Sequence, residues 1–172
     1  MMRFSVFMLA LVLLVGCGYT PGYRLPRGVQ SISVPVFRNE TIPFRRDIEF
    51  ELTRAVKREF QLRTDVELVT EEHADAILRG TVIQFREGVL VESADGTIQE
   101  QGIGVKVGMR LERVRDQRVL LERVVEDLVS FSVPAGESIE AAVSETVREI
   151  ARRIIAEMEP WYDESRSSGQ VN

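Results

Sequence analysis

From Val105 to Glu112 apolar and polar residues alternate without a break: Val105, Val107, Met109 and Leu111 against Lys106, Gly108, Arg110 and Glu112. A period of two is the pattern of a strand with one dry face and one wet face, because successive side chains leave the pleat on opposite sides. Upstream, Asp75 to Ser93 is rich in aliphatics and holds Phe85, and Gly88 suggests a bulge or bend midway. Asp95-Gly96 between these stretches is a hairpin signal, since the tight turn needs residues that accept positive φ. Arg115-Asp116-Gln117-Arg118 forms a polar turn into a further strand, Val119–Val133, with Val125, Val129, Phe131 and Val133 on one side. The centre of the chain is therefore a meander of long antiparallel strands.

A shorter strand precedes it at Ser31–Phe37, where Ile32, Val34 and Val36 alternate with Ser31, Ser33 and Pro35. Pro35 lacks a ladder donor and hints at a sheet edge or a bulge. Ile48, Leu52, Val56 and Phe60 recur every four residues, which predicts an amphipathic helix over about Arg45–Leu62. Val66–Val69 is either a short strand or the lead into the next long one. After Pro134-Ala135-Gly136 breaks the sheet, Ser138 can cap a second helix carrying Ile139, Val143, Val147, Ile150, Ile154 and Met158 on one face. Trp161 and Tyr162 read as packing at its end. The order β-α-β-β-β-α predicts a two-layer α+β domain: two helices on one face of a mostly antiparallel four-stranded sheet, the other face left uncovered.

The N-terminus constrains where such a domain works. Met1-Met2-Arg3 is followed by a run from Phe4 to Val15 that is apolar but for Ser5, the layout of a secretory signal. The run is too short to span a bilayer, which takes roughly 20 apolar residues. It ends at Leu14-Val15-Gly16-Cys17, which resembles the bacterial lipobox. That motif implies a diacylglyceryl group on Cys17, cleavage before it, and acylation of the new amine. The organisation expected is a signal peptide at 1–16, a lipidated tether at 17–30, the α+β domain at 31–162, and a disordered tail at 163–172. Cys17 is the one cysteine of the chain, so disulfides are excluded. Gly18 stands where an Asp would be the usual signal for inner-membrane retention, so the expected location is the outer membrane, lipid-anchored on its periplasmic side.

The residues argue against catalysis. His73 is the single histidine, between Glu72 and Ala74, and reads as a solvated loop residue. No nucleophile–histidine motif and no ligand set with metal spacing is present, so no metal and no cofactor beyond the acyl groups is expected. Gly102, Gly104 and Gly108 lie inside strand-patterned sequence and do not open a helix, which argues against a phosphate-cradling loop. Glu71, Glu72 and Asp75 read as solvent charge. A net charge of −5 argues against nucleic acid as a partner.

Several motifs together resemble the LPS-assembly lipoprotein LptE family. They are the lipobox with Cys17-Gly18-Tyr19, the run from Ser31 through Val34-Pro35-Val36-Phe37-Arg38-Asn39-Glu40 to Thr41, Glu51-Leu52-Thr53, the stretch Ala74–Gly80, and the final amphipathic helix. The resemblance covers roughly residues 17–160. It implies a non-catalytic lipoprotein that plugs the outer-membrane β-barrel LptD, helps it assemble, and binds lipopolysaccharide. Binding of lipopolysaccharide phosphates would then use basic residues, with Lys106, Arg110, Arg86 and Arg79 as candidates. Lys106 and Arg110 share one strand face, four residues apart. The Val34–Thr41 stretch is also similar to the opening of lipoproteins of the CsgG and LpoB group, which act in secretion or in activating a peptidoglycan synthase.

Overall fold

The computed structural model describes residues 25–26, 28–132 and 138–158. The signal segment, the lipobox with Cys17, most of the tether, the Pro134–Gly136 break, Trp161, Tyr162 and the tail lie outside the described residues.

Three long strands form the centre, as the alternation predicts. They are β4 (Ala76–Glu92), β5 (Ile98–Arg113) and β6 (Val119–Ser132), antiparallel throughout, with Gly96 at φ 83° in the first turn. Val105, Val107, Met109 and Leu111 all face the core. Helices α1 (Ile48–Arg63) and α2 (Ile139–Glu157) cover that face. Ile48, Leu52, Val56 and Phe60 of α1 meet Val143, Val147, Ile150 and Ile154 of α2 in one cluster. Ser138 caps α2, its hydroxyl accepting from the Ala141 amide at 3.2 Å.

Among the described residues the sheet is six-stranded and mixed, which corrects the expected four-stranded, mostly antiparallel arrangement. Its order is β3-β1-β4-β5-β6, with β2 also on β4; β1 is Ser31–Ser33, β2 is Arg38–Asn39 and β3 is Glu67–Leu68. β1 runs parallel to both β3 and β4, and β2 runs parallel to β4. The expected strand Ser31–Phe37 is thus two short ones. Val34 and Phe37 are buried between them, and the Phe37 amide donates to Thr53 Oγ1 on α1 at 3.0 Å instead of to a neighbouring strand. Leu25 and Val29 pack against the core, so ordered packing starts ahead of β1.

Three local expectations also change. Helix α1 starts at Ile48 and not at Arg45, because Asp47 adopts φ 65° and residues 41–45 are held in a loop. The first irregularity of β4 falls between Val82 and Gln84, whereas Gly88 pairs in register with Gly102. The extra residue, Ile83, shifts the alternation by one and returns Phe85 to the buried face.

Asp75 is a clasp and not free solvent charge. Its Oδ2 accepts from the Gln30 amide at 2.9 Å, the Ser31 amide at 2.9 Å and Ser31 Oγ at 3.0 Å, tying the head of β1 to the start of β4. The Gln30 and Ser31 amides, then the Ser31 hydroxyl, hold the carboxyl below its ordinary value, with Arg115 adding a smaller pull. A carboxylate held low in the folded state stabilises above its unfolded value of about 3.9, and loses that contribution as pH falls through the lower folded value. Asp75→Ala is therefore expected to cost about 1–2 kcal/mol near neutrality, with solvent screening taken into account. Urea unfolding of both proteins across the pH range checks this: the gap should close in strong acid.

Candidate functional site

The sheet face away from the helices carries no covering element among the described residues. Its side chains come from the polar parity of the strands, so cross-strand register decides what meets what. Arg79 of β4 lies directly opposite Arg110 of β5, which lies opposite Glu122 of β6. The next row is Thr81, Gly108 and Val124, followed by Gln84, Lys106 and Glu126, and then Arg86, Gly104 and Leu128.

A concavity of about 950 Å³ opens at the first of these rows, floored by Gly108, Ile83 and Val124. Arg38, Arg79, Arg110 and Arg123 line it together with Glu40, Glu112 and Glu122. Two arginines side by side in register repel each other, and each is steadied by a carboxylate. Arg79 Nη2 lies 2.9 Å from Glu71 Oε2, and Arg110 Nε lies 3.7 Å from Glu112 Oε2. Arg38 reaches Thr81 Oγ1 at 3.4 Å and Glu40 at 3.9 Å. All three arginines are exposed and their partners exposed or half-buried, so each pair is weak and can be exchanged for a better anion. Convergent guanidinium groups suit phosphate, which they can bind through paired, charge-assisted hydrogen bonds.

The four sequence candidates therefore divide in two. Arg79 and Arg110 line the concavity. Lys106 and Arg110 do share the open face, but the Lys106 ammonium sits 3.4 Å from Glu126 Oε2 and outside the concavity. Arg86 is on the same face farther along, donating to Gln84 Oε1 at 2.7 Å. Arg123 is one of the basic residues the strands offer in the sequence, whereas Arg38 carries no such signal. Arg38 arrives only because β2 docks on β4, a pairing no local pattern signals.

Aliphatic side chains are interspersed with these charged ones. Val124 and Leu128 are 57% and 61% exposed, at the positions in β6 that alternation assigns to solvent. Leu90 and Leu128 lean over Gly102 of β5, where an added Cβ would lie 2.8 Å and 3.2 Å from their methyl carbons. Ile83 leans over Gly108 in the same way, at 3.2 Å. The strand glycines thus make room for aliphatic side chains lying flat on the sheet. The face is amphiphilic: arginines with their carboxylate partners stand beside exposed aliphatic side chains.

The remaining chemistry-bearing residues do not converge. His73 is exposed in a single 3₁₀ turn, Glu71–His73, with Nδ1 3.0 Å from Thr70 Oγ1. Among the described residues no cluster of three or more His, Cys, Asp or Glu could hold a metal ion.

The LptE family, described as lipopolysaccharide-assembly, matches residues 29–158, from the last residues before β1 to the end of α2. The chain belongs to the LptE family. No curated protein matches it. Among solved structures, protein XCC0632 from Xanthomonas campestris superposes with a TM-score of 0.56 at 14% identity, covering 88% of this chain and 95% of that one. Uncharacterized lipoprotein B from Nitrosomonas europaea gives 0.55 at 14% identity, with 84% and 90% covered. At these identities the likeness is one of fold. Both superpositions fit the α+β class and the helix-covered sheet described above.

Proposed function

We propose that this LptE-type lipoprotein is a non-catalytic accessory of lipopolysaccharide assembly, held at the periplasmic leaflet of the outer membrane by acyl groups on Cys17. In this reading it helps the β-barrel LptD to assemble, sits in it as a plug, and passes lipopolysaccharide to the outer surface. Family membership over residues 29–158 carries the reading. The open sheet face supports it. Lipid A presents phosphates beside acyl chains, and this face presents Arg79 and Arg110 beside Ile83, Val124 and Leu128. The ligand phosphates would replace the weak carboxylate partners of the arginines.

Replacing both arginines, Arg79→Glu with Arg110→Glu, is expected to weaken lipopolysaccharide binding by roughly two orders of magnitude, since two charge-assisted contacts are lost and two charges reversed. Both side chains are exposed, so the melting temperature should stay close to that of the parent protein. Titration of purified protein with lipopolysaccharide at moderate salt tests this, and unchanged affinity sinks the site. Purification from mild detergent tests the partner: a penicillin-binding protein in place of a large barrel would favour the peptidoglycan-synthase alternative.

A further inference from the structure

Between β2 and α1 the chain makes a short loop whose stem is pinned and whose tip is bare. Asn39 Nδ2 donates to the Arg45 carbonyl and to Glu49 Oε2, each at 2.7 Å. Asn39 Oδ1 accepts from the Thr41 hydroxyl at 2.8 Å and from the Thr41 amide at 3.1 Å. Thr41 Oγ1 in turn accepts from the Arg45 amide at 2.9 Å, and Thr41 is itself buried. The Glu40 amide donates to the Val82 carbonyl, and the Arg45 guanidinium stacks 5.0 Å from the centre of the Phe85 ring. Held out beyond this network are Ile42 and Phe44, 91% and 63% exposed.

Two large apolar side chains held in water by so many hydrogen bonds cost the protein solvation and contribute nothing to its own core. We propose that the Ile42–Phe44 tip is a preformed anchor that inserts into an apolar pocket on a protein partner. The rim around the tip favours protein over lipid. Exposed Glu40 precedes the tip and exposed Arg46 and Asp47 follow it, and a surface of anionic headgroups would repel the two carboxylates. An apolar centre within a rim of both signs is the anatomy of a protein interface, where a few central residues carry most of the affinity. A rigid stem removes most of the ordering cost of binding. The proposal rests on the reading that this chain plugs a barrel, and an apolar pocket on that barrel is the partner surface it names.

The test co-expresses the full chain with the LptD barrel of the same organism and purifies by a tag on the barrel. Ile42→Ser with Phe44→Ser should lower recovery of the chain at least tenfold, with its melting temperature unchanged. A photo-crosslinking residue in place of Phe44 should join the chain to the barrel, which gives a second reading that does not depend on the folding of the double variant. Equal recovery of parent and variant, or no crosslink from position 44 in a purified complex, overturns the tip while leaving the plug. A parent chain that brings down no barrel overturns both. Binding of the parent to phospholipid vesicles that the double variant loses, with barrel recovery intact, transfers the tip to lipid.

Discussion

Gly80→Ala should lower the melting temperature by roughly 10 °C, a loss of about 3 kcal/mol in a domain of this size. Gly80 lies on the buried face of β4 between Leu78 and Val82, paired with Met109. The ring of Phe37 rests directly on its backbone, so close that a single Cβ would overlap three ring carbons. That ring cannot swing away. Phe37 is 2% exposed, and its amide is tied to Thr53 on α1. Inserting a methyl therefore pushes β4 and the β1–β2 segment apart across the sheet–helix boundary. Differential scanning calorimetry measures the loss, and the pair Phe37→Leu with Gly80→Ala tests its cause. Leucine frees the space above the strand, so the double variant should be more stable than the sum of the two single changes. Strict additivity would place the cost of Gly80→Ala somewhere other than this contact.

The second large effect falls on Cys17. Cys17→Ser is expected to abolish acylation altogether and to leave the full-length precursor, because the lipobox reaction builds a thioether and the cleavage that follows depends on it. Each buried methylene contributes about 0.8 kcal/mol to membrane binding, so the several chains that a lipobox implies would together make the tether effectively permanent. The twelve residues Phe4 to Val15, apolar but for Ser5, are too few to replace it as a span. Intact-mass measurement of the protein extracted from membranes should show the acyl mass on the parent and none on the variant. A variant that is cleaved, soluble and lipid-free would remove the lipobox reading. Among the described residues, Leu25 and Val29 are the first that pack on the core.

How much of the domain could be read in advance depends on the range of the interaction concerned. Period-two alternation in Val105–Leu111 and period-four spacing in Ile48–Phe60 record burial along one element, and both faces are buried as those patterns require. The same holds for the Asp95-Gly96 turn and the Ser138 cap, each written in a few consecutive residues. The exposed aliphatics Val124 and Leu128 were visible in principle, since they break the polar parity of β6 beside Glu122 and Glu126. Their partners Leu90 and Ile83 were not, because irregularities in the β4 pairing change which side of the sheet each residue faces.

By itself the sequence determined the two helices, the antiparallel meander, the buried faces of α1, α2 and β5, and the family whose motifs the chain carries. Only the tertiary structure decided that β1, β2 and β3 join that meander as short parallel strands, and with them the clasp at Asp75, the contact of Phe37 on Gly80, and the place of Arg38 beside Arg79 and Arg110. The physical reason is that a hydrophobic period specifies which side of a strand is dry but not which strand lies beside it. Strands of two or three residues carry almost no period of their own. Their pairing is chosen by burial of Val34 and Phe37 against α1, contacts that exist only once helix and sheet have come together.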